Sequence, residues 1–257
     1  MWLHTGIDGL RSSNLVGQEI RMQLSAAQRS LIERVINAFE TGSADGDYGD
    51  ISIFADGPHN IRQITYGRSQ TTEYGHLSEL VKRYVEASGT FSEAVRPFAS
   101  LVGHKPLTND ATFKQLLRKA GRQDPVMRRV QDAFFDDTYF VPAMRWADQN
   151  GFTLPLSVLV IYDSFIHSGS ILSLIRHMFP EKTPATGADE RAWTGAYVKA
   201  RNAWLAANAR AIVRKTTYRT AALQHEIDRN NWDLSLFPIM ANGVSVSPAE
   251  GDRSPHF

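Results

Sequence analysis

Residues 25–56 read SAAQRSLIERVINAFETGSADGDYGDISIFAD, and this stretch decides the fold. Ser25 has the character of an N-cap, and Leu31, Ile32, Val35, Ile36 and Phe39 recur at the three-to-four spacing of one helix face. The pattern runs into Glu40 and stops at Thr41-Gly42-Ser43. Ala44 to Asp50 is short, polar and rich in Gly and Asp, which predicts a loop. From Ile51 the period changes. Ile51, Ile53, Ile61, Ile64 and Tyr66 alternate with small or polar residues, so Ile51–Thr72 is expected to form a small antiparallel sheet or hairpin.

Outward from this stretch the chain reads as helix. Apolar spacing predicts helices over Leu77–Glu86, Thr112–Ala120, Pro125–Asn150, Leu156–His167, Ile171–Phe179, Glu190–Val213 and Ala221–Arg229. Gly103–Pro106 and Glu181–Asp189 read as connections, and an extended tail is expected from Trp232. The early sheet is the only β segment expected. Residues 1–23 carry no period and read as an arm, 24–245 as one domain of two lobes, and 246–257 as a tail. The expected class is mainly α (α+β).

Composition narrows the function classes. The 257 residues carry a formal net charge of +1, with no basic excess to suggest nucleic acid and no acidic excess to hold a polycation. With no cysteine, disulfides, thiolate metal sites and a cysteine nucleophile are excluded. No apolar run reaches the roughly 18 to 20 residues of a membrane span. Met1 to Met22 shows no hydrophobic leader core. The eight histidines form no zincin motif, and no Gly-x-Ser-x-Gly elbow supports a serine triad.

The chemistry-bearing pair is Glu40 and Asp56. Glycoside hydrolysis asks one carboxyl to stay protonated, which an apolar helix end favours, and a second to stay ionised, which a polar loop favours. Glu40 follows Ala38-Phe39, and Asp56 sits in Ala55-Asp56-Gly57. A solvated Glu at a helix end fits the same pattern. Asp45, Asp47 and Asp50 compete for the base and read equally as a solvated acidic loop; their spacing hints at calcium without the rest of a binding loop.

Several collinear blocks carry a resemblance. Glu40 is followed by Tyr48, seven residues and Asp56. Further blocks run Asp137-Thr138-Tyr139-Phe140-Val141-Pro142-Ala143, Ile161 to Gly169 around Tyr162-Asp163 and His167, Asp189-Glu190 through Gly195 to Ala200-Arg201, and Asn231-Trp232-Asp233-Leu234. Together they resemble glycoside hydrolase family 46, the chitosanases. The resemblance implies a lysozyme-like two-lobed fold with a cleft between lobes, and endo-acting, inverting cleavage of β-1,4 links in chitosan or a related amino-sugar polymer. It implies Glu40 as general acid, Asp56 as general base and Thr65 as the water-holding hydroxyl. Behind Glu40 it implies a charge row Glu40–Arg219–Asp163–Arg201, with Arg214 a competitor for Arg219. Asp163 lies in the apolar run Leu156–Ile166, where an unpaired charge would be costly, so a cationic partner is expected.

Tyr48, Arg62, Glu73, Tyr74 and His76 are the expected substrate contacts. The chain departs from the family after the hairpin, where Gln70 to His76 replaces a Gly-Thr-Gly-Asp segment: Glu73 could substitute from a shifted position, and direct alignment gives His76. Another family acid falls at Asn208. An N-acetylated polymer, including peptidoglycan, would need fewer such acids. A muramidase-type cell-wall hydrolase and a catalytically inactive binding module are therefore the alternatives. Tyr74, Trp146, Trp193, Tyr197 and Trp204 could stack on sugars, although aromatics at helical spacing more often form core. His167 reads as structural. No cofactor, metal, nucleic acid or membrane is expected, only a polysaccharide substrate, for a monomeric and extracellular or exported protein.

Overall fold

The computed structural model describes residues 23–68 and 70–249. The arm up to residue 22 and the tail from residue 250 lie outside the described residues. Helix α1, Ala26–Thr41, begins with a capping box between Ser25 and Gln28 and ends at Gly42, whose φ of 70° is the left-handed conformation glycine tolerates best. Three strands follow in the order β1–β2–β3, all antiparallel: β1 Ile51–Phe54, β2 Gln63–Tyr66 and β3 Thr71–Thr72.

The remaining helices are α2 Leu77–Glu86, α3 Ser92–Val95, α4 Ala111–Gln123, α5 Pro125–Phe135, α6 Val141–Gln149, α7 Pro155–Ser168, α8 Ser173–Arg176, α9 Glu190–Ala206, α10 Ala211–Arg214 and α11 Thr217–Asp228. They surround two apolar cores. The smaller joins the sheet to α2, α4 and α5 through Ile64, Tyr66, Leu80, Tyr84, Phe113, Leu117 and Phe135. The larger surrounds α7, buried at every position from Pro155 to Phe165, with α1, α6, α9 and α11 around it. A helix apolar on all sides can only be a core helix. The chain is mainly helical with a small early sheet, in two lobes with a cleft between them.

Four expectations need correction. The helix over Pro125–Asn150 is interrupted by a wide π-type turn, Asp136–Phe140. Pro142 would strip a hydrogen bond from a regular helix and clash with the preceding turn, and the wider turn accommodates it. The helix over Glu190–Val213 stops at Ala206, because the Asn208 side chain accepts from Arg210 N and offers the backbone a turn instead. The helix near Ile171–Phe179 shortens to Ser173–Arg176. The tail after Trp232 contains a second hairpin, β4 Ile239–Ala241 with β5 Val244–Val246. Its Asn242-Gly243 corner has positive φ at both residues, as a two-residue hairpin turn requires.

Candidate active site

Glu40 stands in the last turn of α1, at the end of an apolar face that anchors the helix in the larger core. A carboxylate there meets the negative end of the helix dipole and needs a cation nearby. Arg219 of α11 supplies it: Nη1 donates to Glu40 Oε1 at 2.7 Å. The same guanidinium donates from Nε and Nη2 to Asp163 Oδ1, at 2.9 and 2.6 Å. Arg201 of α9 donates to Asp163 Oδ2 at 2.5 Å. The structure thus brings Glu40, Arg219, Asp163 and Arg201 into one hydrogen-bonded row of alternating charge, in which only Glu40 reaches the surface. Burial alone would raise the Asp163 pKa, but the two guanidiniums outweigh it and hold the carboxyl well below the usual range. Arg219 is shifted the other way: burial would lower its pKa, and Asp163 and Glu40 raise it further than burial lowers it. Arg214 stands apart, donating to the carbonyls of Asn208 and Ala209.

Tyr218 precedes Arg219 and fastens the end of α1 from the same side, its hydroxyl donating to Phe39 O at 2.7 Å. Across the cleft, Asp56 follows β1, and Gln63 Nε2 at the start of β2 donates to Asp56 Oδ1 at 2.9 Å. Thr65, in the middle of β2, has a buried hydroxyl with no hydrogen-bond partner among the described residues. Glu40, Asp56, Thr65, His76 and Arg219 all line one cleft. Phe54, Thr72, Tyr139, His167, Ile212 and Tyr218 line it with them.

Other expected contacts lie elsewhere. Glu73 is fully buried; its two oxygens accept Ile64 N and Leu107 N, at 3.0 and 2.7 Å, which ties the sheet to a distant loop and leaves neither oxygen for a ligand. It is a structural brace and not a substrate contact. Tyr48 is not part of the cleft lining: its hydroxyl donates to Asp132 Oδ1, beside Arg68. Arg62 is exposed between β1 and β2, and Tyr74 lies against Gly57, both outside the lining. Trp193 and Tyr197 are buried and stacked on each other with centroids 5.1 Å apart, Trp146 stacks on Phe152, and Trp204 packs on the larger core. Asp45 pairs with Arg34, Asp47 with Arg122, and Asp50 accepts from Gln70. Among the described residues no group of His, Asp and Glu is arranged to hold a metal ion.

His167, read as structural, faces the cleft instead. Burial first, then Arg219 and Arg201, lower its pKa to about 4 against the pull of Asp163, so the imidazole is neutral near pH 7. Sequence reasoning missed Gln63, Tyr218, Phe54 and Ile212. Tyr218 had a usable signal in its adjacency to Arg219; the others are joined to the site only by strand register and lobe packing.

The sequence model of Glycosyl hydrolase family 46 matches residues 34–239. A chitosanase of Bacillus subtilis (strain 168) is 26% identical over 190 residues, 69% of this chain and 67% of that protein. Among solved structures, the GH46 chitosanase of Gynuella sunshinyii in complex with chitotetraose superimposes with a TM-score of 0.74 at 27% identity, over 89% of this chain and 100% of that one. A chitosanase of Bacillus subtilis MY002, complexed with 6 GlcN, superimposes with a TM-score of 0.71 over 84% of this chain and 94% of that one. At 24% identity it speaks for the fold alone.

Proposed function

The chain belongs to glycosyl hydrolase family 46, and we propose that it cuts β-1,4 links inside chitosan or a related amino-sugar chain with inversion at the anomeric carbon. One observation carries the reading: two carboxyls, Glu40 and Asp56, face one cleft from opposite lobes, and only Glu40 is held by a buried charge row. Glu40 protonates the departing glycosidic oxygen. Asp56 takes a proton from water attacking the opposite face of the sugar, so the anomeric configuration inverts. Thr65 lines the same cleft, and its hydroxyl, unpartnered among the described residues, suits the second hydrogen bond to that water. Gln63 keeps Asp56 oriented, and Arg219 keeps Glu40 in one rotamer.

The test is reducing-end release and loss of viscosity from chitosan, with the anomeric configuration of fresh products read by proton NMR. Glu40→Gln should fold normally and lose about 10²–10⁴ in kcat, the range general acid catalysis supplies. Unchanged turnover would remove Glu40 from this role, and first-formed β-anomers would replace inversion with retention.

A further inference from the structure

The cleft beside the reacting pair is lined by groups of a particular kind. Apart from Glu40 and Asp56, the described lining side chains are hydroxyls, one amide, imidazoles, aromatic and aliphatic groups, and Arg219, which is spent on Glu40 and Asp163. A glucosammonium unit next to the cut would have no carboxylate of its own to meet there. Imidazoles cannot supply one, being neutral or positive in every state. The protein's net charge of +1 offers a polycation no long-range attraction either.

Two lining residues are exposed large hydrophobics on opposite lobes. Phe54 of β1 is 47% exposed and Ile212 of α10 is 38% exposed. Free polar groups accompany them: among the described residues no hydrogen bond engages the hydroxyl of Thr72 or of Tyr139. Burial, and then the charge of Glu40, push the Tyr139 phenol up to about 12, so it remains a donor at any working pH. Apolar side chains and free hydroxyls in one lining match an acetamido group, which presents one methyl, one carbonyl and one N–H.

We infer that the cleft selects N-acetylated sugar units next to the scissile link, with Phe54 and Ile212 contacting the acetyl methyl and Thr72 and Tyr139 its amide. This rests on the glycosidase reading above and names its substrate within the amino-sugar polymers.

The test compares kcat/KM on fully deacetylated chitosan and on a half-acetylated chitosan of the same length, with mass-spectrometric sequencing of the new chain ends. The half-acetylated polymer should be cut about tenfold better, the scale one buried methyl supplies, and new ends should be enriched in N-acetylglucosamine. Ile212→Asp, on an exposed site, places a carboxylate in the lining; it should lower that ratio severalfold and speed cleavage of the deacetylated polymer. Equal or faster cleavage of deacetylated chitosan by the unaltered protein overturns the inference and leaves the glycosidase reading standing. So does a ratio that Ile212→Asp does not move. Failure to cut either polymer or purified cell-wall sacculi would overturn the glycosidase reading itself, and the inference with it.

Discussion

Asp163 shows how a charge can be kept where the sequence forbids it. It sits in the most apolar of the described helices, fully buried, yet two negative and two positive charges balance out along Glu40, Arg219, Asp163 and Arg201. Removing one member strands the rest. Asp163→Asn should cost about 3–5 kcal/mol in a urea titration, because two buried guanidiniums lose their counter-charge. Arg219→Lys keeps the charge and loses the fork that reaches Glu40 and Asp163 together. It should lower kcat far more than it raises KM, and steady-state kinetics on chitosan would show a KM-dominated change if Arg219 instead held substrate. At this scale the sequence was informative where charge met hydrophobicity: Asp163 in an apolar run demanded a cation. Glu73 gave no such warning. A buried brace and an exposed cleft acid are the same letter, and only the two backbone N–H groups on its oxygens separate them.

Among the elements, the long periodic helices were legible because each buries one face; breaks within them were not. The Asn242-Gly243 corner carries a hairpin signal that the expectation of an extended tail passed over, whereas the widening at Asp136–Phe140 depends on Pro142 and on two cores that must both be served. Close approach of backbones is likewise invisible in sequence. A Cβ on Gly121 of α4 would lie 2.0 Å from Tyr48 O, in the loop between the candidate acid and base. Gly195 of α9 has nothing within 4 Å of the same atom. Gly195→Ala should therefore stabilise by about 0.5–1 kcal/mol through helix propensity alone. Gly121→Ala should destabilise by about 1–3 kcal/mol, the usual cost of overpacking, despite the same gain in propensity. Paired urea midpoints decide it; equal midpoints would mean that the loop yields freely.

The whole molecule carries a pH dependence with a definite sign. His167 is depressed from 6.5 to about 4 in the folded state, so between those values the unfolded chain binds a proton that the native one refuses. Its contribution is complete above pH 6.5 and is lost as pH falls towards 4, by about 3 kcal/mol at most. Asp163 also has a depressed pKa, and its contribution persists until below the usual carboxylate range. The two effects therefore occupy different windows. His167→Gln should flatten the fall in urea midpoint between pH 7 and 4.5; an unchanged slope would place the titration elsewhere.

The rod formed by α5, the wide turn and α6 has a consequence for inheritance. Phe135 belongs to one core, Ala143 and Met144 to the other, and Tyr139 between them touches both. One residue gained or lost between them would turn everything beyond by about 100° and slide it by about 1.5 Å, taking one core out of phase with the other. Lineages of this protein should therefore vary freely in the length of the connection from Asp56 to Gln63 and hardly at all from Pro125 to Gln149. The helical rod counts its residues, and the loops do not.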